Sequence, residues 1–279
     1  MNETNRIAFF HTFGFLHLRS FFNVAEVIAY RETAQTVLEE DAAEHPFDGT
    51  ERQQLQGFAE RSPTLRGLID DPRILDLAQQ LLGKALTWVG SDGNRYVGDT
   101  GWHPDGSSFD LRRVKFALYL DPLTAETGAL RLVPGSHRCT LHDDLRTLLQ
   151  RDDTTITPYG VRASRRTDTR RSGFGLPANE VPCTVLETQP GDLVIFDQNV
   201  WHASFSGRTG RMMFTLNYAI TPQTDQAIAY ALSMYEGQLE HVRQRQWQRR
   251  DHVFDAALLH SDKPELRALF AFWREHGFT

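Results

Sequence analysis

The sequence predicts a mainly β fold with flanking helices, an antiparallel sandwich or jelly roll. Three observations predict it. Between residues 86 and 220 the chain breaks into short runs rich in β-branched and aromatic residues, spaced with period two and separated by Gly, Pro and Asp. On both sides of that region the apolar spacing changes to the helical period. The composition, 40% hydrophobic and 11% aromatic over 279 residues, can fill a substantial core and excludes a disordered chain.

Taken in order, residues 7–18 (IAFFHTFGFLHL) predict a short strand and turn entering the domain. Residues 20–41 predict a helix whose apolar set is Phe22, Val24, Val27, Ile28 and Val37. A second helix is predicted at 71–84. Asp71 caps it, Pro72 takes its first position, and Ile74, Leu75, Leu77, Ala78, Leu81 and Leu82 form its buried stripe. After Gly83 come the strand candidates LTWVG, NRYVG, VKFALYL, LRLVPG, TVLET, DLVIFD and RMMFTLNYAI. The helical period returns at 225–247, a segment that either covers the core or forms a dimer contact, and most clearly at 263–275. The expected organisation is one domain over 1–279: helices at 19–85, a β core at 86–222 and C-terminal helices at 224–279. A polar stretch at 141–182 interrupts the strands and carries Arg162, Arg165, Arg166, Arg170 and Arg171. It reads either as a solvated loop or as an active-site lid that brings positive charge towards an anionic substrate.

Composition narrows the function classes. A net charge of −6, with no broad basic face, argues against a nucleic-acid partner. The cysteines, Cys139 and Cys183, form neither a metal-type spacing nor a disulfide framework, which fits a reducing, cytoplasmic setting. The N-terminus lacks the basic region and cleavage site of a signal peptide, and no apolar run approaches the roughly 20 residues of a membrane span. The expected partner is a small molecule, and the expected assembly is a monomer or homodimer.

The chemistry concentrates in one triplet and two later residues. His103-Pro104-Asp105 lies at a strand end, where an extended backbone puts His103 and Asp105 on one face. Alone, a His-x-Asp is weak, since a surface His beside a turn Asp is common in a chain with 11 His. His202 follows the strand around 192–197, and a lone His there could be a satisfied core histidine. Arg211 begins the next strand. Two His and one carboxylate are the facial ligand set of a non-haem Fe(II), which leaves positions open for a chelating cosubstrate and O2. Arg211 is placed to fork onto a carboxylate of that cosubstrate. The four residues point to a 2-oxoglutarate-dependent oxygenase.

The motifs WHPDG at 102–106, TGALRLVPGSH at 127–137 and PGDLVIFDQNVWHASFSGRTGR at 190–211 resemble the phytanoyl-CoA dioxygenase family. The resemblance covers roughly 86–222. It implies a double-stranded β-helix core, the cupin-like jelly roll. It implies Fe(II) on His103, Asp105 and His202, with 2-oxoglutarate as cosubstrate and O2 as oxidant. It also implies that Arg211, with the Ser204 hydroxyl, binds the distal carboxylate, and that Asn94 is a further cosubstrate contact. The His202–Arg211 loop is about two residues shorter than the family spacing, which makes Arg208 a rival to Arg211. Related halogenases carry a small residue in place of the acidic ligand. Asp105 therefore implies hydroxylation, or another oxidation, of a small molecule, with release of succinate and CO2.

Substrate contacts are expected from Tyr96, Trp102 and Phe109, or, for an anion such as a phosphonate or carboxylate, from Arg162, Arg165 and Arg166. The alternatives at this level are a cupin-like metalloenzyme that ignores 2-oxoglutarate, a non-catalytic jelly-roll binding protein, and an oxygenase acting on a macromolecule.

Overall fold

The structure is a computed structural model that describes residues 2–43, 45–151, 172–244 and 252–278. The chain opens with α1 (Glu3–Phe13), β1 (Phe15–Leu18) and α2 (Val24–Asp41). Next come β2 (Gln53–Gln56), a 3-10 turn at Phe58–Arg61, α3 (Pro63–Arg66) and α4 (Pro72–Leu82). The core strands follow: β3 (Leu86–Arg95), β4 (Thr100–His103), β5 (Arg113–Tyr119) and β6 (Leu130–Leu132). After α5 (Cys139–Arg151) and the two-residue strands β7 (Ser172–Gly173) and β8 (Leu176–Pro177), the core resumes. It continues with β9 (Thr184–Leu186), β10 (Leu193–Asp197), β11 (His202–Ser204) and β12 (Met212–Ile220). The chain closes with α6 (Asp225–Gln244), α7 (Ala256–Leu259), α8 (Pro264–Leu269) and α9 (Ala271–Glu275).

Two antiparallel sheets form the jelly roll. The larger has six strands in the order β1-β10-β5-β12-β3-β2, and the smaller has four in the order β4-β11-β6-β9. Period-two alternation gives the large sheet two different faces. Along β5, Val114, Phe116 and Leu118 enter the large core packed by the helices, while Ala117 joins the cluster between the sheets. Along β10, Leu193 and Ile195 face the helices, while Val194 and Phe196 face inward. Along β12, Phe214 and Leu216 face the helices, while Met213 faces inward. The helix side is locked by polar tips as well as area. Trp273 Nε1 donates to the Trp88 carbonyl at 2.7 Å, and the Tyr218 hydroxyl donates to Ile69 O at 2.8 Å.

Several expectations need correction. Residues 7–13 are helical, not extended: Asn2 caps α1 through its side chain, and Gly14, at φ +85°, ends it before the short β1. The region 19–85 holds β2 as well as helices, and that strand joins the large sheet beside β3. LTWVG and the first two residues of NRYVG, Asn94 and Arg95, belong to one strand, β3, with a register shift opposite Asn217–Tyr218. The 263–275 helix is broken at Phe270 into α8 and α9. The segment 141–182 is not simply a loop. It carries most of α5 at one end and the β7–β8 pair at the other. Arg162, Arg165, Arg166, Arg170 and Arg171 lie outside the described residues, so the structure does not place the lid. Among the described residues no helix is long and apolar enough to cross a membrane.

Candidate metal centre and cosubstrate pocket

The small sheet presents the triad. β4 and β11 pair so that His202 lies directly opposite His103, next to a register shift in β11. Asp105 follows β4 by two residues, at a turn held by the Gly106 N–H on Gln198 O at 2.8 Å. A Cβ at 106 would come within 2.6 Å of Arg113 Nη2 and Asn199 Oδ1, so a side chain there would push both of these away. The result is a cluster of His103, Asp105 and His202 whose ligating atoms all lie within 4.8 Å of one another.

Backbone carbonyls set the tautomers. His103 Nδ1 donates to Gly101 O at 2.8 Å, and His202 Nδ1 donates to Val200 O at 2.9 Å. A carbonyl only accepts, so each Nδ1 carries the proton and each Nε2 keeps a lone pair for the centre. The two Nε2 atoms stand 3.7 Å from Asp105 Oδ1 and Oδ2 respectively. That is too long for hydrogen bonds and suits donors grouped around a cation. Burial, then the neighbouring His103, pushes His202 down to about 3, and burial lowers His103 as well. Burial alone would raise the Asp105 carboxyl; Lys115, His202 and His103 more than reverse this and hold it ionised. Two neutral imidazoles and a carboxylate are the protonation states that metal ligation needs, so the donor set fits Fe(II).

Asp105 Oδ2 is buried and receives no well-aligned hydrogen bond. Its neighbour is the Lys115 ammonium, an ion pair at 2.7 Å. Burial opposes the Lys115 charge, but Asp105 and Asp92 outweigh it and raise its pKa.

Arg211 closes the other end of the same pocket, a cavity of about 150 Å³ between the sheets. Its guanidinium is buried and donates to neutral oxygens: Gly98 O at 3.0 Å, Arg208 O at 3.2 Å and Ser204 Oγ at 3.1 Å. Ser204 in turn donates to Gly128 O at 2.8 Å. The Tyr96 ring lies 4.8 Å from the Arg211 guanidinium and 4.1 Å from that of Arg52. A buried guanidinium held by neutral acceptors is a place prepared for an anion. Space around it is tight. A Cβ at Gly207 would sit 2.0 Å from Arg211 Nη1, and one at Gly128 2.8 Å from its Nε.

The structure thus brings His103, Asp105, His202, Ser204, Tyr96 and Arg211 to one pocket. Other expected contacts lie elsewhere. Arg208 reaches Asp121 at 2.8 Å and does not line the pocket. Asn94 is fully buried beside it, receiving Arg52 on its carbonyl at 2.7 Å and donating to Asp92 at 2.5 Å. It braces two lining residues and is not one itself. Trp102 points to the opposite side of β4, where its indole N–H donates to Ala178 O at 2.8 Å. Phe109 is partly exposed and stands edge-on to His142. Neither lines the pocket. Arg52, Asp92, Lys115 and Tyr119 line it and were not foreseen.

A family model described as phytanoyl-CoA dioxygenase (PhyH) matches residues 10–213. The chain belongs to this family. It is an oxidoreductase of the iron- and 2-oxoglutarate-dependent dioxygenase class, using O2. Membership sets aside the readings as a metalloenzyme without 2-oxoglutarate and as a non-catalytic binder. Curated relatives include an ectoine dioxygenase of Bordetella bronchiseptica, 27% identical over 218 residues, covering 69% of this chain and 67% of that protein. A 2-aminoethylphosphonate dioxygenase of an uncultured bacterium is 26% identical over 221 residues, covering 72% and 76%. Among solved structures, HygX from Streptomyces hygroscopicus with nickel and 2-oxoglutarate bound superposes with a TM-score of 0.59. It is 20% identical and covers 79% of this chain and 88% of its own, a likeness of fold.

Proposed function

We propose that this dioxygenase hydroxylates a small molecule that carries an acidic group, with Fe(II) on His103, Asp105 and His202 and 2-oxoglutarate anchored by Arg211 and Ser204. The observation that supports it most is the pairing within one pocket of a three-donor cluster and a buried guanidinium with neutral partners. The metal with its cosubstrate supplies O2 activation, releasing succinate and CO2.

The chain's own residues do the rest. The carbonyls of Gly101 and Val200 hold both imidazoles with Nε2 towards the centre. Asp105 fills the position that a halide would need, which favours hydroxylation. Arg211 offers a fork for a carboxylate, and Ser204 fixes the fork's angle. Phe196, Leu130 and Met213 line the pocket and limit water around the reacting centre. The two named relatives act, by their names, on ectoine and 2-aminoethylphosphonate, which supports a small polar substrate over a macromolecule. The chain's net charge of −6 agrees.

The test is anaerobic visible absorption of the Fe(II) protein titrated with 2-oxoglutarate. A weak charge-transfer band that needs both, and is lost in His103→Ala, is the expected result. Metal demonstrably bound with no band would overturn the reading.

A further inference from the structure

A second cavity, of about 220 Å³, adjoins the first and shares Gln54, Asp92, Asp105 and Lys115 with it. Its position, beyond Asp105 from Arg211, leaves it for the primary substrate once the cosubstrate fills the first. It is smaller than the roughly 300–1,000 Å³ of drug-sized sites, so its occupant is small. Its walls are mostly polar and include Arg113, Gln198 and Asn217, with Val89 and Pro104 as the apolar side chains. An aliphatic chain would find little apolar surface there.

Two charges sit where the cavities meet. Asp92, 9% exposed, accepts from Thr215 Oγ1 at 2.5 Å and from Asn94 Nδ2 at 2.5 Å. Both donors are neutral, and they use two of about four acceptor positions on the carboxylate. A carboxylate this deep is ordinarily matched by a cation. Lys115 is the opposite case. Its ammonium is matched by Asp105, the carboxylate that the metal claims. With metal on Asp105, the charge left near the lysine is Asp92, which acts on it through space but makes no direct ion pair with it among the described residues. Arg113 stands beside it, donating to the Tyr230 hydroxyl at 3.2 Å and the Asp105 carbonyl at 3.4 Å, both neutral acceptors.

We propose that the second cavity selects a small zwitterion, its carboxylate or phosphonate on Lys115, backed by Arg113, and its ammonium on Asp92. The proposal rests on the dioxygenase reading and deepens it. A simple anion would leave Asp92 with no cation in direct contact, and a simple amine would leave Lys115 with no anion in direct contact once the metal holds Asp105. The opposed charges at the seam therefore discriminate by what each would lose when left buried without a partner.

The test is calorimetric binding to the Ni(II)- and 2-oxoglutarate-loaded protein, which reads affinity without turnover. One arm compares 4-aminobutyrate with butyrate and butylamine; the other compares 2-aminoethylphosphonate with ethylphosphonate and ethylamine. In at least one arm the zwitterion is expected to bind tenfold or more tightly than either fragment, and the better arm names the anion. Asp92→Asn should erase the advantage over the simple anion. Lys115→Met should erase the advantage over the simple amine, and Lys115→Arg should restore part of it. Thermal melts exclude variants that fail to fold, in which case Asp92→Ser or Lys115→Gln replaces them.

The proposal fails if neither zwitterion outbinds its fragments. It also fails if the folded variants keep the advantage, or if Lys115→Met weakens 2-oxoglutarate as much as the zwitterion. Failure of the underlying reading looks different, because the metal-loaded wild type would then not bind 2-oxoglutarate at all.

Discussion

The two faces of the large sheet are made by the same strands and do opposite things. On β5, Phe116 turns to the helices and is fully buried in an apolar core. Its neighbour Lys115 turns inward to an ion pair with Asp105. On β12, Phe214 and Leu216 face the helices, while Met213 and Thr215 line the pocket and Arg211 closes it just before the strand begins. One face is stabilised by removing apolar area from water, at roughly 25 cal/mol per Å². The other holds charges whose burial costs free energy and whose return is binding and chemistry. Stability and function are therefore separable by a one-residue step along a strand.

The sharpest way to break that separation is His103→Ala, on β4 of the small sheet, which lines the same pocket as the inward face of the large one. Turnover is expected to vanish, and divalent-metal affinity to fall by more than about a hundredfold, since even the supports of metal ligands are worth 10–100-fold. Unfolding free energy should move by only about 1 kcal/mol. Succinate release, metal titration and urea melts check the three parts. A variant that loses fold and function together would show that the faces are not separable. Phe116→Ala is the mirror experiment. It should cost about 3–5 kcal/mol in denaturant melts, while 2-oxoglutarate affinity in the folded fraction stays near the wild-type value.

Arg211→Ala comes next. Losing the buried guanidinium that forks onto Ser204 should raise the 2-oxoglutarate Kd by about a hundredfold or more, from the few kcal/mol that a buried charge partner is worth. Titration of the metal-loaded variant reads this directly. Unchanged affinity would reassign the carboxylate, with Arg52 the first alternative. Gly207→Ala is gentler. The added methyl would press on Arg211 Nη1, so the 2-oxoglutarate KM is expected to rise about tenfold, or roughly 1.4 kcal/mol, with kcat less affected. A change in kcat alone would mean that the guanidinium gives way without leaving its place.

The same alternation explains what could be read in the sequence. His103 and Asp105 share a face because strand side chains repeat every two residues, and His202 and Arg211 were legible from their strand ends. That period also puts Trp102 on the far side of β4 from His103, so its absence from the pocket was deducible even though nearness in sequence suggested otherwise. α4 was legible because cap, first-position Pro and apolar stripe agree. β2 was not, because QQLQ carries no β-branched or aromatic residue and becomes a strand only by pairing with β3. Arg52, just before β2, was lost with it. Lys115 was visible as one polar residue in an apolar run, but its meaning depends on which face looks inward, and tertiary packing decides that. Residues 7–13 of α1 read as extended because their aromatic side chains mimic a strand, whereas the Asn2 cap and Gly14 make them helical.

The helix-side face of β10 ends on a charge, and it gives the finest test of the comparison. Asp197 ends β10 in phase with Leu193 and Ile195, and it is 8% exposed. Burial pushes its pKa up to about 6, although the Asn199 N–H at 2.9 Å and the charges of Arg113, Arg112 and His11 pull it down. A raised folded pKa means that the native state holds this proton more tightly than the unfolded chain, whose value is near 3.8. Its contribution to stability is fully present below about pH 4 and is lost as pH rises through about 6. Above that the ionised carboxylate costs at most about 3 kcal/mol. Asp197→Asn keeps an oxygen for Asn199 and removes the charge. It should therefore melt a few degrees higher than wild type at pH 8, with the gap closing towards pH 4. A constant gap, or wild type the more stable at pH 8, would mean that Arg113 and Arg112 hold this carboxylate as a true ion pair. The helix-side face would then depend on charge as the pocket side does.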